Sequence, residues 1–341
     1  MLLNEQILLK KRPVGLPAPD DFEISQIVMG ELRDGAIRIR INYVALSPWQ
    51  LQRMKDFKNY TTPFEIGELI NCDVLGEIIE IHPSYSGKLK IGQYVVGRLG
   101  WQRYADVFPA EISPIPELND PLLSLTALSS PGLTAYTCLD LYGRNMPGQT
   151  MVVTSAAGAV GMYAVQLGKL ANMNVIGVCG SDSKCKFVQQ DLKADFCLNY
   201  KNPSFVNDLS DICTNGIHQV FDTIGGPVTD TIFEYLTKHA RVLVVGRTIS
   251  NVSENPAIDM VNMRQLWAKE ATVYGFSRYS YPERWKFAQK QMKLLCEKKL
   301  ITSHHQVIPG LRNTVDALNG MLSGSHQGKV IVKYFDGEEA I

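Results

Sequence analysis

The residues of this chain best suited to chemistry lie along a run of small side chains. An apolar strand-like segment, Met151-Val152-Val153-Thr154, breaks into Ser155-Ala156-Ala157-Gly158-Ala159-Val160-Gly161, and an apolar helical pattern follows. Small residues spaced Ala156-x-Gly158-x-x-Gly161 let a backbone approach a pyrophosphate, and the unpaired N–H groups of a helix start favour its negative charge. Read for chemistry, Ala156, Gly158, Ala159, Val160 and Gly161 hold the phosphates of a dinucleotide; read blandly, they make a glycine-rich turn. In NAD-selective sites an acidic residue about twenty positions further on binds the ribose 2′-hydroxyl. Here that position falls on Cys179-Gly180-Ser181, which has no carboxylate, and Lys184 and Lys186 follow. Gly180, Ser181 and Lys184 therefore suit a 2′-phosphate, which a lysine meets with a charge-assisted hydrogen bond. The expected cofactor is NADP(H). Two alternatives stay open: a shift of the turn would bring Asp182 to the ribose, and the lysines would also serve as a solvated helix face. Tyr200, just past the next strand pattern, is placed to cover the same phosphate or to stand exposed at a strand end.

Two further segments close on glycines at the ends of strand patterns, where open α/β sheets bind ligands. Phe221-Asp222-Thr223-Ile224-Gly225-Gly226 ends one and Val244-Val245-Gly246-Arg247-Thr248 the next. Thr223 and Gly246 are thus candidate cofactor contacts, although the glycines would equally serve turns. No metal is expected. His82, His218, His239, His304, His305 and His326 are scattered, Cys72-Asp73 stands alone, and no group of four closely spaced cysteines occurs. Ser155 is not in a G-x-S-x-G elbow, and no Ser-His-Asp or Cys-His arrangement can be argued. The cofactor is left as the source of chemistry.

Those residues need a particular scaffold. After the small-residue run, strand patterns at 174–179, 196–199, 219–224, 241–246 and 271–276 alternate with helix patterns at 183–192, 204–213 and 228–238. Such alternation predicts an α/β fold with a doubly wound parallel sheet of the Rossmann type. Before it, short β-like runs at 36–44, 76–82 and 93–97 are separated by turn signals and predict a β-rich domain. There Ile37, Ile39, Ile41 and Tyr43 alternate with Arg38, Arg40 and Asn42, the period of a half-exposed strand. Helices are expected at 282–299 and 311–322, and a closing strand at 329–334 returns to the first domain. The domains expected are 1–122, 123–300 and a returning segment, 301–341.

Bulk properties narrow the function further. Over 341 residues, 34 Lys and Arg balance 34 Asp and Glu, so no long-range field favours nucleic acid or an anionic membrane, and small molecules are the expected partners. The charge-free run 145–168 is broken by glycines, a proline and polar residues, which fits a buried strand and helix better than a membrane span. Seven cysteines, without a C-x-x-C pair and mostly inside apolar runs, read as reduced core thiols of a cytoplasmic protein. Lys10-Lys11-Arg12 follows the first apolar residues, the reverse of a secretory signal.

Together with Asn59-Tyr60-Thr61-Thr62-Pro63-Phe64-Glu65-Ile66-Gly67, Gly100-Trp101-Gln102-Arg103-Tyr104-Ala105, Pro131-Gly132-Leu133-Thr134-Ala135-Tyr136 and Gly328-Lys329, these motifs resemble the medium-chain dehydrogenase/reductase superfamily. Within it they are similar to the zinc-free, NADPH-dependent alkenal/one, leukotriene B4 and prostaglandin reductases, with quinone oxidoreductases nearby. The resemblance covers nearly the whole chain. It implies a chaperonin-10-like (GroES-like) catalytic domain completed by the C-terminal segment, a Rossmann domain between, and a homodimer. Lys184 and Tyr200 match the family's 2′-phosphate residues. The implied reaction is hydride transfer to the β-carbon of an enone or enal, followed by protonation of the enolate. Tyr60 is the candidate proton donor, with a core tyrosine as the alternative, and Trp49, Trp101, Arg247 and Tyr279 are the expected pocket lining. The chain also departs from the pattern. Ser47-Pro48-Trp49 replaces an Asp-Pro-Tyr, Ile249-Ser250-Asn251-Val252 lacks a tyrosine, Thr223 stands for a common asparagine, and Arg247 is uncommon. The rival readings are a quinone oxidoreductase and a non-catalytic NADPH sensor.

Overall fold

A computed structural model describes residues 1–56, 62–246 and 261–335. The chain divides into two units, residues 1–125 with 305–341 and residues 126–304; the boundaries expected at 122 and 300 lie a few residues ahead of these.

In the first unit, β1 (Leu3–Leu9) and β2 (Phe22–Val28) pair antiparallel. β3 (Ile37–Ala45) is followed by a short helix, α1 (Trp49–Met54), and then by β4 (Asp73–Ile81), β5 (Tyr94–Arg98), β6 (Tyr104–Val107) and β7 (Ile112–Pro114). β3 hydrogen-bonds β4 along one side and β6 on the other. It is therefore an interior strand, contrary to the half-exposed strand that its alternation predicts. Arg38 is only 5% exposed, and its guanidinium donates to Asp106 at 2.8 and 2.9 Å and to Glu80 at 2.7 Å. The Asp106 hydrogen bonds hold its pKa above the ordinary value against the pull of burial. Pairing of this kind is what makes a buried charge tolerable.

The second unit begins with α2 (Ser130–Cys138) and then alternates: β8 (Thr150–Thr154), α3 (Gly161–Leu170), β9 (Asn174–Cys179), α4 (Asp182–Gln190), β10 (Phe196–Asn199), α5 (Phe205–Ile212), β11 (Ile217–Asp222), α6 (Gly226–Phe233), β12 (Leu236–Val244) and β13 (Thr272–Gly275). The strands form one parallel sheet in the order β10-β9-β8-β11-β12-β13. Every residue of β8 is buried, as expected of a strand covered on both faces. The strand order reverses between β8 and β11, which opens a crevice at their carboxyl ends. The helix expected to run to Lys238 stops at Phe233, because Leu236 is buried and already pairs with Ile217 of β11. His239, at φ 62, falls where the β11–β12 register shifts.

A helix over Pro282–Glu297 follows, and β14 (His305–Pro309) and β15 (Lys329–Lys333) return to the first unit. There β15 lies between β14, parallel to it, and β3, antiparallel to it. The helix expected from Leu311 opens with a 3-10 turn, and its α-helical part is Thr314–Leu322. No helix among the described residues is long and apolar enough to cross a membrane.

Candidate active site

At the end of β8 the chain turns sharply. Ser155 takes a left-handed conformation, φ 50, and the Gly158 N–H closes the turn on the Ser155 carbonyl at 2.8 Å. Gly161 opens α3 directly against this turn. A Cβ at 161 would stand 2.2 Å from the Ser155 carbonyl oxygen, and one at 158 would stand 2.7 Å from Ser155 Oγ. Either Cβ would collide with Ser155, so both glycines are needed for the turn to close this tightly against the N-terminus of a ten-residue helix. That is the cradle a pyrophosphate needs. Ala156 and Gly161 are buried behind it, and Ala156 donates its N–H to the Val178 carbonyl at 3.2 Å, so these two shape the turn. Gly158, Ala159 and Val160 form its accessible side.

The carboxyl end of β9 assembles Gly180, Ser181, Lys184 and Tyr200. A Cβ at Gly180 would come within 3.1 Å of the Tyr200 hydroxyl oxygen. Ser181 caps α4 by accepting the Lys184 N–H at 3.4 Å. Asp182 Oδ1 is engaged instead with the Nδ2 groups of Asn199, at 2.8 Å, and Asn202, at 3.3 Å. The two lysines separate by burial: Lys186 is exposed, whereas Lys184 is half-buried. Burial, with Lys201 adding to it, pushes the Lys184 pKa below the ordinary lysine value against the opposite pull of Cys179. A phosphate near Lys184 would reverse that shift.

At the reversal of strand order, Asp222 is 2% exposed. Its Oδ1 accepts hydrogen bonds from Thr154 Oγ1 at 2.7 Å, Thr229 Oγ1 at 2.9 Å, and the Ile224 and Gly225 amides at 3.1 and 3.2 Å. Thr223 completes the link, donating its N–H to Thr154 Oγ1 at 2.9 Å and its hydroxyl to the Thr154 carbonyl at 3.2 Å. A Cβ at Gly246 would lie 3.3 Å from the Thr223 carbonyl oxygen. Asp222 is the organising residue that the sequence alone does not single out; its one signal is an acidic side chain closing a strand before Gly225-Gly226.

The residues expected at the substrate pocket are described within their own units. Tyr60 and Arg247 lie outside the described residues. Trp49 is half-buried in the first unit, its ring 6.5 Å from Phe64, with the Arg98 and Arg53 guanidiniums 5.3 and 5.9 Å from it. Trp101 has no exposed surface. Its ring packs 5.8 Å from Phe22 and its carbonyl accepts the Ile7 N–H, so it serves the core of that unit. Tyr279, in the second unit, is 44% exposed, with the Arg278 guanidinium 4.5 Å from its ring.

Cys179, Cys185 and Cys197, which read as reduced core thiols in the sequence, bring their sulfurs within 4.8 Å of one another. Cys179 is the thiol favoured as thiolate. Hydrogen bonds from Cys185 and Cys197 lower its pKa against burial, with help from the Ala157 amide, and the same contacts raise those of its two partners.

Comparison with known proteins agrees with this architecture. Residues 5–115 match the family described as the N-terminal domain of oxidoreductase, and residues 159–293 the one described as zinc-binding dehydrogenase. The protein YfmJ of Bacillus subtilis is 32% identical, the alignment spanning 98% of each chain. The NADPH-dependent curcumin reductase of Escherichia coli is 31% identical across 97% of this chain and 96% of its own. The crystal structure of CurA from Vibrio vulnificus in complex with NADPH superposes with a TM-score of 0.91 at 30% identity, covering 98% of this chain and 100% of that one. A phosphate cradle without a ribose-binding carboxylate, in a chain alike from end to end to such proteins, gives the assignment: the chain belongs to the medium-chain dehydrogenase/reductase superfamily and is one of its NADP-dependent oxidoreductases.

Proposed function

We propose that this oxidoreductase reduces the activated carbon–carbon double bond of enones or enals. The observation that carries the reading is the nearly full-length likeness to the curcumin reductase, whose named substrate contains conjugated enones. NADPH, when bound, supplies the hydride that the β-carbon accepts. The chain's own part is to hold the dinucleotide and to provide a proton. For the first task it has the Gly158–Gly161 cradle at one end of the crevice and the half-buried Lys184 beside Ser181 and Tyr200 at the end of β9. For the second, Tyr60 is the proposed donor: a phenol can donate a hydrogen bond to an enolate oxygen and can supply the proton that the α-carbon takes up.

The test is steady-state turnover of an enal, an enone and a naphthoquinone, followed through the absorbance of the reduced nicotinamide. Oxidation of NADPH by the enal or enone is the expected result. In Tyr60→Phe, kcat should fall about a hundredfold or more, the usual contribution of a positioned proton donor, with KM little changed. Turnover of the quinone alone would replace this reading with that of a quinone reductase, and an unaltered rate in Tyr60→Phe would remove Tyr60 from the chemistry.

A further inference from the structure

Three of the seven cysteines converge at one point of the second unit. Cys179 ends β9, Cys185 lies on α4 and Cys197 lies in β10, and their Sγ atoms are all within 4.8 Å of one another. Along the chain they stand six and twelve positions apart, which is why no metal-ligand spacing announces them. Cys179 and Cys185 are buried, at 2% and 7% exposure, and Cys197 is half-buried. A cysteine packed as a small hydrophobe needs no second sulfur nearby; three facing one another need a further explanation. The backbone makes room for them. Cys197 pairs with Gly177 across the β9–β10 ladder, and a Cβ at 177 would intrude to 3.0 Å from Cys197 Sγ. The Ala157 amide is directed at Cys179 Sγ, and the Lys184 charge acts on the same sulfur, so negative charge at the cluster is partly offset.

We propose that these three sulfurs form a site for a single thiophilic cation in three-coordination, with Cu(I) as the ion that fits. Soft thiolate donors select copper(I) or zinc among the common metals. Structural zinc takes four protein ligands, and among the described residues no histidine, carboxylate or fourth cysteine joins this group. A regular three-sulfur site with metal–sulfur bonds of about 2.3 Å needs sulfurs ~4 Å apart, a spacing inside the 4.8 Å limit that these three sulfurs keep. On binding, the thiols release their protons to solvent, three copper–sulfur bonds form, and no electron is transferred. The site is separate from the proposed reduction chemistry and does not depend on it.

The reduced full-length protein, titrated anaerobically with Cu(I) against a chromophoric Cu(I) chelator, should retain one copper per chain, with sulfur-to-copper absorption in the ultraviolet. Cys185→Ser and Cys197→Ser should each weaken retention by about a hundredfold or more, since losing even an outer-shell partner costs a metal site 10- to 100-fold. Cys296→Ser, away from the cluster, should leave it unchanged. Alkylation of the unmutated protein gives a reading independent of variant folding: copper should protect the Cys197 peptide from iodoacetamide and not the Cys296 peptide. Retention that survives both cluster substitutions, no protection of Cys197, or a chain that retains no copper would each overturn the proposal. Zinc held as tightly as copper would overturn its three-coordinate form.

Discussion

Lys184 and Lys186 lie two positions apart on the same helix, yet only one of them is half-buried. Burial holds the Lys184 ammonium below its ordinary pKa of 10.5, and a 2′-phosphate placed between it and Ser181 would raise that pKa again. Lys184→Ala is expected to weaken NADPH binding about tenfold to a hundredfold, the equivalent of ~1.5–3 kcal/mol for a hydrogen bond to a charged group. NADH binding should change by less than about twofold on the same reasoning, since it lacks the phosphate. Lys186→Ala, on the exposed side, should affect neither. Fluorescence titrations with both cofactors decide the matter, and equal losses for NADPH and NADH would take Lys184 out of the phosphate site. The pH dependence has a definite sign. The complex holds the Lys184 proton more tightly than the free protein does, so binding takes up protons between the lowered and the restored pKa. NADPH affinity should therefore decline as pH rises towards 10.5, and Lys184→Ala should remove that decline.

At the scale of elements, the crevice between β8 and β11 depends on one carboxylate. Asp222 Oδ1 collects two hydroxyls and two amides, tying the end of β8 through Thr154, the turn after β11, and α6 through Thr229. Asp222→Ala would leave several buried donors without their acceptor, at roughly 1–3 kcal/mol for each that water cannot reach, so a loss of at least about 2 kcal/mol is expected. Asp222→Asn keeps an acceptor oxygen and should cost about half as much or less. Urea unfolding of both variants at unchanged m-value measures this, and an alanine variant as stable as the parent would show that the network is incidental. The surrounding sheet is legible in the sequence because β8 and β9 are nearly continuous apolar runs between small-residue turns. β1 and β2 are not. β2 is mostly exposed, and β1 contains Asn4, Glu5 and Gln6, whose partners are far along the chain: Asn4 donates to Gln102 and the Tyr104 carbonyl, and Glu5 pairs with Arg103 and Arg312. No local period encodes a polar residue buried by a partner about a hundred positions away. The cysteine cluster and the neutralised Arg38 escape a linear reading for the same reason, whereas the phosphate cradle, whose residues are contiguous, does not.

At the scale of the whole chain, the second unit is one continuous segment, residues 126–304, between two parts of the first. Its ends meet: Ser303 Oγ donates to Thr126 Oγ1 at 2.9 Å and is itself 2.7 Å from the Tyr163 hydroxyl, while Gln166 bonds the backbone of Thr302 on both sides, at 2.7 and 3.0 Å. It also has a core of its own, running from Val152 and Ile176 to Phe233 and Val242. A segment with joined ends and its own core is what an independently folding inserted domain requires. The first unit has the opposite construction, because β15 sits inside its sheet against β3 and reaches it only after the second unit has been traversed. Two fragments should therefore behave differently. Residues 126–304 alone should melt cooperatively and bind NADPH within about tenfold of the full chain, since every candidate cofactor residue, from Ala156 to Gly246, travels with them; the tenfold allowance corresponds to ~1.4 kcal/mol. Residues 1–304 should keep that binding while the first unit, without β14 and β15, loses protection of its β3 and β4 amides in hydrogen exchange. If 126–304 fails to melt cooperatively, or if 1–304 protects β3 as well as the intact chain does, the division of labour between the two units is wrong.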